Sequence, residues 1–264
     1  MNIGIVGLGI VGSANRAGFE KVGHSVRIHD TKFDTKIDDL LDTEIIFICV
    51  PTPSTPDGRC DTIIVESVIQ ELSQKKYQGI IAIRSTVYPG FTSYMNQKYP
   101  LINICFVPEF LRERCAEFDF ILEHRLLAIG TADDFVYKKI LEAHGDLPKN
   151  VVKLSSEEAE ILKYYLNLYA ATRVTFANVF FEICSKFNAD YKRIKDAYVL
   201  TDRLGDMYLE VTDNLRGYGG MCLPKDTKAI AKLIEDLDLD LDFFKTIDSD
   251  NAKFNSTVFK GMRS

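Results

Sequence analysis

Two strings in this 264-residue chain combine residue types that do chemistry. One is Gly217-Tyr218-Gly219-Gly220-Met221-Cys222-Leu223-Pro224-Lys225-Asp226. Its glycines allow the backbone to approach a ligand closely, and Pro224 suits the first turn of a following helix. Cys222 would then stand at a helix N-terminus beside Lys225, and both features favour the thiolate, the nucleophilic form. The string alone equally allows a buried, inert cysteine beneath a glycine-rich loop. The other string is Gly7-Leu8-Gly9-Ile10-Val11-Gly12, which follows a short apolar run and precedes a helical stretch and a second strand closing on Asp30. In a dinucleotide-binding turn the first glycine makes the bend, the second admits the pyrophosphate and the third lets helix and strand pack. The phosphates meet the helix N-terminus, here Ile10 and Val11. Asp30 is placed to accept from ribose hydroxyls, which favours NAD over NADP.

The elements that must position these residues follow from periodicity. Apolar runs at 3–6, 25–29, 45–50, 80–84, 104–107 and 126–129 have strand length and β-branched content. Helix-like segments at 13–22, 62–75 and 133–144 alternate with them, which predicts a Rossmann-type α/β domain over residues 1–154 with a doubly wound, mainly parallel sheet. Three further strings close strands: Val50-Pro51-Thr52-Pro53, Arg84-Ser85-Thr86-Val87-Tyr88-Pro89-Gly90 and Pro108-Glu109-Phe110-Leu111-Arg112-Glu113. The carboxyl ends of parallel strands are where ligands of open sheets bind. At Ser155-Ser156-Glu157-Glu158 a serine cap and acids at the positive end of the dipole open a long helix. It runs to about residue 187 without Gly or Pro, roughly 45 Å, a length that suits a connection between units or a dimer interface. Lys163 and Asn167, one turn apart, share a face of it. Helices at 191–198, 224–236 and 241–254 complete an all-helical second domain, 155–264.

Composition removes several function classes. With 46% hydrophobic and 27% charged residues and no repeat, the chain is neither disordered nor low-complexity. Its formal charge of -6 and lack of a basic cluster argue against nucleic acid. No uncharged run reaches the roughly 18 residues of a membrane span, and residues 1–14 lack a signal peptide's basic start. Six cysteines without a Cys-x-x-Cys pair suit a reducing, cytoplasmic setting and no metal site. His24, His29, His124 and His144 read as ordinary surface or turn residues.

Taken together and in order, the glycine triplet, the three strand-end strings, Glu160-Ile161-Leu162-Lys163, Asn167 and the glycine-cysteine string resemble the UDP-glucose 6-dehydrogenase family of nucleotide-sugar dehydrogenases. The resemblance implies two-step oxidation of a sugar C6 alcohol to a carboxylate with two NAD. Cys222 is then the nucleophile that carries a thiohemiacetal and a thioester. Lys163 and Asn167 stabilise alkoxide and tetrahedral oxyanions, and Glu109 and Asp226 share the handling of protons and water. Thr86 and Glu113 resemble residues bridging cofactor and catalytic water, Lys225 resembles a cofactor contact, and Thr52 lies in a cofactor-facing string. Arg203 matches an arginine that reaches the substrate across a dimer interface, Tyr208 a sugar-loop aromatic, and Gly219 belongs to the substrate-binding string. The implied partners are a nucleotide-sugar substrate and a second copy of the chain, joined through the helical domain.

Three departures bear on substrate rather than chemistry. The family carries a C-terminal UDP-binding domain, on the order of 100–150 residues, for which this sequence has no counterpart. The stretch from Arg203 to Cys222 is about three residues longer than usual and polar. Met221 stands where a small or aromatic residue is common. Two other readings therefore stay open: an NAD-binding and dimerisation module that needs a partner for the nucleotide-sugar pocket, and a dehydrogenase of small hydroxy acids.

Overall fold

The computed structural model describes residues 1–201, 205 and 207–254. They separate into two compact units, Met1–Pro53 with Asp61–Lys163, and Ser54–Cys60 with the chain from Tyr164 onward.

The first unit is a seven-stranded sheet of order β2-β1-β3-β4-β5-β6-β7. The strands are β1 (Asn2–Val6), β2 (Ser25–His29), β3 (Ile45–Ile48), β4 (Ile80–Ile83), β5 (Asn103–Phe106), β6 (Leu127–Gly130) and β7 (Val151–Leu154). All neighbours run parallel except β5 and β6, which meet antiparallel at Phe106 and Gly130. The expected doubly wound, mainly parallel sheet is therefore present, with one antiparallel step and an edge strand, β7, that the apolar runs did not announce.

Both faces of the sheet are covered, and this is why the strands read as unbroken apolar runs. Ile46, Ile48, Ile81 and Ile83 point to one side, against Val65, Ile69 and Leu72 of α2 (Ile63–Gln74) and Phe91 and Met95 of α3 (Phe91–Lys98). Ile3, Ile5, Ile45, Phe47, Ile80 and Ala82 point to the other. There they meet α1 (Ile10–Val22), α4 (Ala116–Ile121) and α5 (Asp134–His144) through Phe19, Phe120, Val136 and Ile140. The strand order turns between β2 and β3 around β1, and such a switch point opens a crevice at the carboxyl ends.

Two histidines correct the surface reading. His124 and His144 are buried, ring against ring, beside Phe120, and His144 also packs on Phe19 and Phe47. Burial, reinforced by the nearby Arg84 charge, pushes His124 down to about 4 and His144 well below its ordinary value. His144 lies four residues after Ile140 and eight after Val136, so helical spacing puts it on the core face.

Helix α6 (Ser156–Lys186) leaves the first unit at Lys163 and continues into the second. The division between compact units thus falls inside a helix, past the change of pattern at residue 154 where a boundary is expected. The second unit adds α7 (Tyr191–Val199), α8 (Leu223–Asp236) and α9 (Phe243–Lys253). A short excursion from the N-terminal half joins them: Ser54 and Cys60 form an antiparallel bridge, Arg59 pairs with Asp236 of α8, and Cys60 packs with Tyr164, Leu168 and Ala229. Among the described residues, no helix is long and apolar enough to cross a membrane.

Candidate active site

The glycine triplet joins β1 to α1, and its members differ in what they permit. Gly7 holds a φ of +91°, and a Cβ there would lie 2.7 Å from the Cys49 carbonyl oxygen. A Cβ on Gly12 would run into the carbonyl oxygen of Gly7. Gly9 has open space where its Cβ would stand and an ordinary φ of -77°. The fold itself therefore needs Gly7 and Gly12, whereas the opening at Gly9 is room for a visitor. Among the described residues no side chain caps the amides of Ile10 and Val11 at the start of α1, which suits a phosphate. Asp30 follows β2, and its carboxylate accepts from the Leu8 amide at 2.7 Å and the Lys32 amide at 2.9 Å. These bonds hold it below the usual carboxylate range, so it stays an ionised acceptor beside the glycine turn. Thr52 is buried after β3, Thr86 half-buried after β4, and Glu113 half-buried in a 3-10 turn after β5. These residues fit a dinucleotide laid along the carboxyl ends of the strands.

In the same unit, Lys163 and Glu109 form a buried pair. Lys163 is 3% and Glu109 9% exposed, so neither is a solvated surface charge. The ammonium donates to Oε1 and to the backbone oxygen of Glu109, both at 2.7 Å, and the Leu111 amide donates to Oε2 at 2.8 Å. Burial pushes the Glu109 carboxyl up, but the Lys163 charge and hydrogen bond, the Leu111 amide and Arg84 outweigh it and leave it below its ordinary value.

The second unit holds the other cluster. Asn167 donates from Nδ2 to Oδ2 of Asp226 at 2.5 Å, and Lys225 pairs with Oδ1 at 2.6 Å. Asp226 is fully buried, with both oxygens engaged. Lys225, expected to touch cofactor, has its ammonium on this carboxylate. Cys222 is exposed at the N-cap of α8, with Pro224 in the first turn and the Cys222 carbonyl accepting the Asp226 amide at 2.8 Å. A thiol at the positive end of a helix dipole is the placement expected of a nucleophile. Tyr208 is exposed at a φ of +66° and Gly219 half-buried. Arg203 lies outside the described residues.

Sequence reasoning gave no role to two members of the quoted strings. Glu160, buried on α6, accepts the Gly90 amide at 2.6 Å and the Thr92 amide at 2.8 Å, and so caps the N-terminus of α3. Its position three residues before Lys163 was the available signal. Arg84 is buried over the rings of Phe47 and Phe120. Nothing local marks an arginine after an apolar strand as a core residue.

Two family models match the chain. The UDP-glucose/GDP-mannose dehydrogenase family NAD binding domain matches residues 27–144, and the central domain of the same family matches residues 157–253. A UDP-glucose 6-dehydrogenase of Haloferax volcanii is 28% identical, over 87% of this chain and 64% of its own length. A GDP-mannose 6-dehydrogenase of Pseudomonas aeruginosa is 30% identical, over 76% of this chain and 49% of its own. The structure of a UDP-glucose dehydrogenase from Pyrobaculum islandicum superposes with a TM-score of 0.87 at 24% identity, covering 96% of this chain and 68% of that one. The chain thus spans about two thirds or less of these relatives. It belongs to the UDP-glucose/GDP-mannose dehydrogenase family and carries that family's NAD binding and central domains.

Two outcomes test this geometry. Gly9→Ala should keep stability within about 0.5 kcal/mol while weakening NAD about tenfold or more, read by fluorescence titration. Gly12→Ala should cost about 1–3 kcal/mol in the fold itself, and equal effects of the two substitutions on stability would sink the distinction. Lys163→Met should lower stability by about 3–5 kcal/mol at pH 7. Because the folded pKa of Glu109 lies below the unfolded one, the pair stabilises fully above about pH 4.3 and loses that contribution as pH falls through the folded value. The gap between wild type and variant, read from urea midpoints, should therefore narrow as pH falls below about 4.3.

Proposed function

We propose that this member of the family oxidises the C6 alcohol of a nucleotide sugar to a carboxylate in two steps, with UDP-glucose the first substrate to try. The placement of Cys222 at the head of α8, with Lys225, Asp226 and Asn167 in the same unit, carries the reading. A dehydrogenase that stopped at the aldehyde would have no use for this cysteine. NAD, when bound, accepts one hydride at each oxidation.

The chain's own groups account for the rest. On the first oxidation the alcohol proton passes to a carboxylate of the chain or through water, and the Lys163 ammonium and Asn167 amide favour the developing oxyanion. The Cys222 sulfur adds to the aldehyde carbon, the carbonyl oxygen takes up a proton, and a thiohemiacetal results. Loss of the second hydride, with the hydroxyl proton passing to a carboxylate of the chain or to water, leaves a thioester. Water then adds to its carbonyl, the carbon-sulfur bond breaks, and the carboxylate leaves with the thiol restored. Covalent capture holds the aldehyde while spent cofactor exchanges. Glu109 and Asp226 are the two carboxylates available to direct that water.

The helical unit also supports a homodimer. On α6, Tyr165, Tyr169, Phe176, Phe180 and Ile183 are exposed at intervals of three, four and seven residues. An apolar stripe with that period suits packing against another helix, and a second copy offers the same stripe.

The wild-type chain should yield two NADH per sugar consumed when offered UDP-glucose, GDP-mannose and related nucleotide sugars. Cys222→Ser should form no acid; two-NADH turnover by that variant would refute the covalent role, and one NADH per substrate would favour a single-step hydroxy-acid enzyme. Sedimentation velocity should give the mass of two chains, and Phe176→Glu with Phe180→Glu that of one. A monomeric wild type would remove the dimer.

A further inference from the structure

The glycine-cysteine string is held by two buried side-chain amides from different helices. Asn178 of α6, 1% exposed, accepts at Oδ1 from the Gly217 amide at 3.1 Å and from Arg216 Nε at 2.9 Å, while its Nδ2 donates to the Val174 carbonyl at 2.8 Å. Asn251 of α9, 9% exposed, accepts at Oδ1 from the Tyr218 amide at 2.7 Å and donates from Nδ2 to the Tyr218 carbonyl at 3.0 Å. One carboxamide thus satisfies both backbone groups of one residue, as a neighbouring strand would. The Tyr218 ring packs in the same place, against Ala171 of α6 and Ile247 of α9.

We infer that Asn178 and Asn251 are positioning residues that hold the glycine string, and through it Cys222, ready for covalent chemistry. The span concerned is short. Tyr218 is pinned by the Asn251 carboxamide, Cys222 is fixed at the N-cap of α8, and only Gly219, Gly220 and Met221 lie between. Ordering such a stretch costs more than usual because glycine surrenders the most backbone freedom. The two clamps supply that ordering from outside the string, beside the packing of the Tyr218 ring. The chemistry of the clamp also explains the residue type. Aspartate at 251 would set a second acceptor against the Tyr218 carbonyl, and leucine would fill the volume without either bond.

The inference rests on the reading of Cys222 as nucleophile, and the test separates the two. In Asn251→Leu and Asn178→Leu, amide hydrogen exchange at Gly217 and Tyr218 should quicken about tenfold for the lost bond, with β1 and β4 amides unchanged. Turnover should fall about 10- to 100-fold in kcat with Kd for NAD unchanged. Alkylation of Cys222 by iodoacetamide at pH 7, followed by mass spectrometry, should slow about threefold as the thiol leaves the helix end. Asn251→Gln, which keeps the amide, should recover part of each. Faster exchange with unaltered alkylation and kcat would reduce the amides to a structural role and overturn the inference; unchanged exchange would overturn the clamp. If wild type turns over no nucleotide sugar yet alkylation still depends on the amides, the positioning stands and the proposed reaction fails.

Discussion

A carboxylate and an ammonium that are both nearly cut off from water must find each other when α6 docks on the sheet. Glu109 arrives from the end of β5 and Lys163 from the second turn of α6, and leaving either alone would strand a charge in the interior. One turn earlier, Glu160 meets the two amides that open α3. Apolar packing tolerates a helix that slides or rolls slightly, because many contacts of similar energy are available. Two buried polar anchors a turn apart do not, since each is held to partners in fixed places at hydrogen-bond distance. The start of α6 is thereby set in rotation and in height.

A comparable economy appears at the glycine turn. Gly7 and Gly12 are required by neighbouring carbonyls of the chain itself, Gly9 by nothing in the fold. The same local geometry that closes β1 onto α1 leaves a helix N-terminus uncovered and an ionised Asp30 tied to the turn through the Leu8 amide. A phosphate at this turn would need few dedicated contacts, because the backbone that makes the fold already presents the donors.

How far the sequence could be read depended on whether a feature was local. The glycine triplet, the strand runs of β1 to β6, the start of α6 and the cap position of Cys222 all rest on spacing within a few residues, and each was readable. So was the resemblance, since its motifs are short strings in fixed order. What escaped was set by distant partners. Strand β7 is a short edge element whose exposed Val151 and Lys153 break the apolar pattern. The short helices α3 and α4 carry too few turns for a clear period. Arg84, His124 and His144 look polar in a string and are buried because three aromatic rings from separate elements surround them. Asn178 and Asn251 are 73 residues apart and acquire a role only where both reach the glycine string.

The excursion at Ser54–Cys60 has a consequence in time. Arg59 closes on Asp236, 177 residues further along. During synthesis the early partner must wait, on the order of ten to thirty seconds at ordinary elongation rates, before the late one exists. For that interval the sheet can form around β1, β3 and β4 while the excursion remains an unsatisfied loop between β3 and α2. The helical unit therefore cannot finish before its last helices are made, although one of its pieces leaves the ribosome well before them.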